Sequence, residues 1–228
     1  MKVLANDGVS KSGIDSLEKA GFEVITTTVA QEQLIEYINN HQIDVILVRS
    51  ATKVRKDIID SCPSIKIIGR GGVGMDNIDV TYAREKGLSV INTPAASSSS
   101  VAELVFAHLF GGVRYLYDSN RNMPLDGDTR FKDLKKNYAK GSELRGKTIG
   151  IIGFGRIGRE VAKIALGCGM KVIASDNYVD TANITLDFFD GQKVTLEIKT
   201  KPIDELIQQS DFITLHVPAQ KQYVIGKE

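Results

Sequence analysis

Lys147-Thr148-Ile149-Gly150-Ile151-Ile152-Gly153-Phe154-Gly155-Arg156-Ile157-Gly158 reads as a short β-branched strand running straight into a G-x-G-x-x-G turn. A stretch at helical spacing, Arg159 to about Gly167, follows, and then a second apolar run, Lys171-Val172-Ile173-Ala174-Ser175. Asp176 closes that run, eighteen residues after Gly158. Strand, glycine turn, helix, strand and terminal acid are the parts of a dinucleotide-binding βαβ unit. Gly153 permits the tight turn, Gly155 lets a pyrophosphate approach the backbone, and Gly158 lets helix and strand pack closely. The helix N-terminus adds free N–H groups and the positive end of its dipole. Asp176 can accept from a ribose 2′-hydroxyl but repels a 2′-phosphate, and neither Asn177 nor Tyr178 is a cation that would reverse this. NAD is therefore the expected cofactor. The competing reading, a glycine-rich turn with an ordinary turn aspartate, requires all three contextual features to coincide by chance.

A second G-x-G-x-x-G, Gly69-Arg70-Gly71-Gly72-Val73-Gly74, also follows an apolar run. Eighteen residues beyond Gly74 stands Asn92, which is no acid, so the ribose clamp is missing. Successive glycine N–H groups at a strand end can still form a nest for a small carboxylate; the competing reading is a turn that needs glycine for its backbone angles alone. Arg49-Ser50-Ala51-Thr52-Lys53 sits at the end of another apolar run, Ile43–Val48. Ligands of open α/β sheets bind beyond that end of the strands, and a pair of cations with hydroxyls suits phosphate or carboxylate. A solvated helix face at Arg55 and Lys56 is the bland alternative.

Working outward, strand-like runs recur at Lys2–Asn6, Phe22–Thr26, Ile43–Val48, Ile65–Ile68 and Leu88–Ile91, with helical spacing between them. This alternation predicts an α/β fold: a flavodoxin-like parallel sheet over residues 1–98, followed by a partial Rossmann (doubly wound) unit over 99–228. Ser97 to Ser100 run into an apolar stretch from Val101 that reads as a long helix entering the second domain. Met123 to Arg145, polar and without clear period, reads as a surface loop. Residues 183–199 read as an inserted β-hairpin on a type I′ turn at Asp190-Gly191, a surface decoration. Phe212–Leu215 reads as a third strand after Lys147–Ile152 and Lys171–Ser175, and strands four to six are not found.

The chain has 228 residues, 42% hydrophobic and 25% charged, as ordinary globular domains do. Lys plus Arg number 29 against 28 Asp plus Glu, a net charge of +1, so nothing global favours nucleic acid or an anionic membrane. No apolar run approaches the roughly 18 residues of a membrane span. The two cysteines, Cys62 and Cys168, form no CxxC pair, which argues against a disulfide framework or a metal site and for a cytoplasmic setting.

Arg49–Val54, Gly69–Asp79, Asn92-Thr93-Pro94, Val101–Leu104, Leu144–Thr148 and Gly153–Gly158 stand in order along the chain. Together they resemble the D-isomer-specific 2-hydroxyacid dehydrogenase family, and most of all its D-3-phosphoglycerate dehydrogenase branch. The resemblance covers nearly the whole chain except the hairpin. It implies that Gly72, Val73 and Gly74 offer amides to a substrate carboxylate, and that Arg49, Ser50 and Lys53 lie by the substrate, at its phosphate. It further implies that Arg156 and Ile157 meet the cofactor pyrophosphate, Asp176 the ribose, and His216, Val217 and Pro218 the cofactor through their backbone, with Gly153, Gly155 and Gly158 as the glycines of the cofactor-binding turn. The expected activity is hydride transfer between NAD(H) and a D-2-hydroxy acid, with 3-phosphoglycerate at the entry to serine synthesis foremost. Glyoxylate/hydroxypyruvate or D-lactate type reductases are the alternatives within the family, and an NAD(H)-sensing corepressor of the C-terminal-binding-protein type is the alternative outside enzymology. Relatives pair as dimers or tetramers through the cofactor domain.

Such chemistry needs a cation on the carbonyl and a general acid near neutral pKa. His41 and His108 read as structural, and His216 has no carboxylate partner in sequence. In the family the catalytic Arg, Glu and His follow the His216-Val217-Pro218 motif, so none is expected before Glu228. A longer natural protein and an inactive 228-residue chain are the expectations.

Overall fold

A computed structural model describes residues 1–218 and 222–226. The chain divides into two compact units, Met1–Ser97 and Ser98–Glu228. The first runs β1 (Lys2–Ala5), α1 (Lys11–Lys19), β2 (Glu23–Ile25), a 3-10 turn (Gln31–Gln33) leading into α2 (Leu34–His41), β3 (Val45–Val48), α3 (Lys56–Ser61), β4 (Ile67–Arg70), α4 (Val80–Glu85) and β5 (Ser89–Asn92). All five strands are parallel, in the order β2-β1-β3-β4-β5, which is the flavodoxin-like arrangement. Alternation along each strand sets the packing: Leu4, Ile46, Val48, Ile68 and Val90 enter one core with Leu34 and Ile38 of α2 and Ile58 of α3. Parallel strands end at one edge of the sheet, so the loops after β1, β3 and β4 are neighbours. That edge carries the first group of candidate residues.

The second unit runs α5 (Ser98–Val113), α6 (Leu116–Tyr138), β6 (Thr148–Ile152), α7 (Arg156–Gly167), β7 (Lys171–Ser175), β8 (Thr181–Asp187), β9 (Lys193–Lys199), α8 (Ile203–Gln209) and β10 (Phe212–Leu215). Its parallel sheet has the order β10-β6-β7. The strand count is therefore corrected. Phe212–Leu215 lies on the far side of β6 from β7, where a doubly wound sheet places its fourth strand. Beside β7, in the third strand's place, a single parallel bridge joins Thr200 to Ala174, and Lys201 N–H donates to Ala174 C=O at 2.8 Å.

Three further expectations are corrected. The hairpin is no decoration: Ala182 and Ile184 of β8 are buried in the same core as Phe154, Val161 and Ala165. Only one face of the ribbon is apolar, which is why its sequence resembles a free-standing hairpin. Its turn is also not type I′, which needs positive φ at both central residues. Gly191 has φ 85°, Asp190 does not share that region, and Phe188 exchanges backbone hydrogen bonds with Gly191 and Gln192, which is a three-residue loop closed by a bulge. The expected loop at Met123–Arg145 is largely helix α6, which contains Pro124 and leaves helical geometry at Arg130. Leu134 is its one buried residue, and Asp126–Arg130 and Asp118–Tyr138 contacts lace its surface. A helix with so little apolar face gives no periodic signal.

Candidate functional site

The dinucleotide turn is built by glycines with no room for a side chain. Gly153 has φ 91°, and a Cβ there would lie 2.6 Å from His216 C=O. At Gly158 a Cβ would lie 2.2 Å from Gly153 C=O, so the first turn of α7 rests directly on the backbone leaving β6. Gly155, the N-cap of α7, faces open space, with nothing within 4 Å of where a Cβ would stand. The three glycines thus divide the work as their spacing predicts: two are fixed by close backbone contact and one leaves a cradle. The N–H groups of the first turn of α7, at Arg156 and Ile157, are those a helix cannot bond internally. Ile157 is half-buried against the core and Arg156 is exposed.

Asp176 follows β7 directly. Its Oδ2 accepts from Phe154 N–H at 2.6 Å, and its Oδ1 accepts from the N–H groups of Tyr178 at 2.8 Å and Val179 at 3.2 Å. Asp176 lines a cavity of about 700 Å³ together with Gly153, Gly155, Tyr178, Lys201, His216, Val217 and Pro218. Carboxylate, open glycine and helix N-terminus converge on one space, a donor and acceptor set that fits a dinucleotide. Lys201 also lines it, a cation that the reading of Asn177 and Tyr178 alone overlooks; its ammonium is paired with Glu205. His216 N–H bonds Ile152 C=O at 2.7 Å, while its ring Nε2 lies 3.0 Å from Thr214 Oγ1. Burial lowers the pKa of that imidazole.

The other candidates gather in the first unit. Arg49, Ser50 and Lys53 are exposed in the turn after β3, while Thr52 and Val54 anchor it from inside. Gln31 grips Lys53 at both backbone groups, accepting from its N–H at 2.9 Å and donating to its C=O at 2.8 Å. The glycine loop after β4 lies alongside: Gly71 N–H reaches Val48 C=O at 2.8 Å, and Arg70 Nε reaches Arg49 C=O at 3.3 Å. Gly72 N–H is engaged by Thr93 Oγ1 at 2.8 Å, whereas those of Val73 and Gly74 have no acceptor among the described residues. Arg70 also donates to Gly74 C=O, and Asn92 Nδ2 holds Val73 C=O at 2.7 Å. A cavity of about 350 Å³ opens beside Arg49, Arg70 and Gly71, with Leu47 and Ile91 as its apolar floor. Arg70, Asn92 and Thr93 escape sequence reasoning because they act on backbone groups. Among the described residues no three His, Cys, Asp or Glu side chains cluster as metal ligands, and no helix is long and apolar enough to cross a membrane.

Residues 3–215 match the family described as D-isomer specific 2-hydroxyacid dehydrogenase, catalytic domain. The chain belongs to this family. It is 40% identical to the hydroxypyruvate reductase of Thermotoga maritima, over all of this chain and 69% of that protein. It is 38% identical to the D-3-phosphoglycerate dehydrogenase of Methanocaldococcus jannaschii, over all of this chain and 41% of that protein. Among solved structures, the NAD+-bound 3-phosphoglycerate dehydrogenase of Entamoeba histolytica superposes with a TM-score of 0.67 at 30% identity, covering 97% of this chain and 64% of that one. The chain thus spans between about two-fifths and two-thirds of the relatives' lengths. Family membership agrees with the fold of each unit, the first a flavodoxin-like parallel sheet and the second Rossmann-type.

Proposed function

We propose that this family member binds NAD(H) in its second unit and a D-2-hydroxy or 2-keto acid in its first, as an NAD-dependent dehydrogenase. The observation that carries the reading is the fixed geometry of Asp176 beside the open N-terminus of α7. Gly155, Arg156 and Ile157 would hold the pyrophosphate, Asp176 the adenosine ribose, and His216 to Pro218 the far wall. The cofactor, held by these residues, would supply the hydride chemistry at C2 of the substrate. The chain's own part is to orient both reactants: the amides of Val73 and Gly74 take the carboxylate, and Arg49, Ser50 and Lys53 take the distal anionic group. A phosphate suits a pair of cations with a hydroxyl, which favours 3-phosphoglycerate, the entry reaction of serine synthesis, carried out in the cytoplasm. Hydroxypyruvate is the second reading, favoured by the 40% identity to a hydroxypyruvate reductase.

Among the described residues none of the three histidines forms an ion pair with a carboxylate. His41 stacks on Tyr37, His108 belongs to α5, and His216 faces Thr214 rather than a carboxylate. Self-association through the second unit fits the exposed Leu104, Phe110, Leu116, Tyr117, Leu125 and Phe131 of α5 and α6. Calorimetric titration tests the reading. NADH is expected to bind at least tenfold more tightly than NADPH, and 3-phosphoglycerate more tightly than glycerate. Equal affinity for the two dinucleotides overturns the cofactor assignment; equal affinity for the two acids moves the substrate to hydroxypyruvate or another unphosphorylated acid.

A further inference from the structure

The turn that presents Arg49 and Lys53 is held by side chains of Asn6, Asp7, Thr52 and Asn77. Asp7, immediately after β1, accepts on Oδ2 from Arg49 N–H at 2.6 Å and from Thr52 N–H at 3.1 Å. Its Oδ1 accepts the Thr52 hydroxyl. That hydroxyl in turn accepts from Asn6 Nδ2 at 2.8 Å, and Asn6 is pinned to Val29 through both ends of its amide. From the opposite side, Asn77 Nδ2 donates to Arg49 C=O at 2.8 Å and to Thr52 C=O at 2.6 Å. Asn6, Thr52 and Asn77 are all buried.

We infer that Asp7 is a positioning residue: with Asn77 it clasps both polar edges of the Arg49–Lys53 turn and so fixes where the two cations meet an anionic substrate. The inference rests on the substrate reading above. Every donor on the Asp7 side points at a carboxylate, and every acceptor on the Asn77 side faces an amide N–H, so the turn cannot slide without breaking bonds at both edges. Burial works to raise the Asp7 carboxyl, but hydrogen bonds from the Thr52 hydroxyl and from the N–H groups of Thr52, Arg49 and Ala51 outweigh it and hold it below the ordinary range. An amide in place of the carboxylate fails whichever way it turns. Placed on the Oδ2 side, its NH2 confronts the Arg49 and Thr52 N–H groups. Placed on the Oδ1 side, it puts a donor where the Thr52 hydroxyl proton has its acceptor.

The experiment titrates the 228-residue chain with 3-phosphoglycerate and, separately, with NADH, for wild type, Asp7→Asn, Thr52→Ser, Thr52→Val and Arg49→Ala. Asp7→Asn and Thr52→Val are expected to weaken 3-phosphoglycerate binding roughly tenfold, with NADH affinity unchanged and Thr52→Ser near wild type. Should Asp7→Asn lower the melting temperature, the comparison of Thr52→Ser with Thr52→Val decides, because both keep a β-branched or small side chain in the turn and only one keeps the hydroxyl. Wild-type affinity in Asp7→Asn or Thr52→Val, alongside weakened binding in Arg49→Ala, overturns the clasp. Unchanged binding in Arg49→Ala overturns the substrate reading itself, and the inference with it.

Discussion

Phe154 and Asp176 are joined by a hydrogen bond of 2.6 Å from the Phe154 N–H to Asp176 Oδ2. The acid proposed to face the ribose is therefore also a strut of the glycine turn, since Phe154 lies between Gly153 and Gly155 and its ring is fully buried. The proposed selectivity and the turn geometry rest on one carboxylate.

Replacing Asp176 by Ala removes both roles. NADH affinity is expected to fall about tenfold or more, and discrimination against NADPH to shrink to within about threefold, because the repelling charge is gone while Lys201 remains on the cavity wall. Fluorescence titration with the two reduced dinucleotides reads this directly. Retained discrimination in the variant would show that Asp176 does not face the ribose.

The glycines of the turn should separate stability from binding. In Gly158→Ala the new Cβ meets Gly153 C=O at 2.2 Å, a backbone atom that cannot swing away, and overpacking of this kind costs about 1–3 kcal/mol or more. Gly155→Ala meets nothing within 4 Å and should cost less than about 0.5 kcal/mol while weakening NADH, whose pyrophosphate needs that space. Urea unfolding paired with dinucleotide titration distinguishes the two effects.

The hairpin's membership in the core is testable by its two faces. Ile184→Ala removes a side chain that is 1% exposed and should destabilise by about 2–5 kcal/mol. Thr195→Ala, on the opposite face where Thr195 meets only Thr185 at 3.0 Å, should stay within about 0.5 kcal/mol. Equal, small effects would return the hairpin to the status of an ornament.

His216 gives a pH dependence with a defined sign. Burial lowers its pKa below 6.5, so the unfolded chain takes up the proton first as pH falls. Its contribution to stability is complete above pH 6.5 and is lost as pH drops from there through the lowered native value. The melting temperature of the wild type should decline between about pH 7.5 and about pH 5.5 more steeply than that of His216→Gln. Parallel curves would remove the imidazole from that decline.

What the sequence made legible follows the range of the interactions. The dinucleotide turn is local, and its glycines and acid could be read from spacing because Gly158 and Asp176 answer to contacts within one βαβ unit; only Gly153 is fixed from outside it, by His216. The parallel strands of the first unit were equally plain, since buried runs such as Val45–Val48 carry their signal in composition. β10 was misplaced because sequence order does not say on which side of β6 a strand returns. Helix α6 was missed because only Leu134 is buried. The clasp at Asp7 and Asn77 was hidden for a third reason: the residues are 70 positions apart and act on main-chain atoms, so although Asn77 falls in the Gly69–Asp79 stretch, no pattern of side-chain types pairs it with Asp7. The one available signal was a polar pair, Asn6 and Asp7, at the end of an apolar strand.

The bridge between Thr200 and Ala174 has a consequence for how this branch of the family can change. Between Asp180 and Thr200 the chain leaves β7 and returns to it, and the two residues close the excursion with a backbone hydrogen bond of 2.9 Å. Whatever lies between needs only to cover α7 with a few apolar side chains and come home at the same place. The outward face of the ribbon, Asn183, Thr185, Thr195 and Glu197, answers to no such demand. It is a surface on which evolution can write without rewriting the nucleotide turn next door.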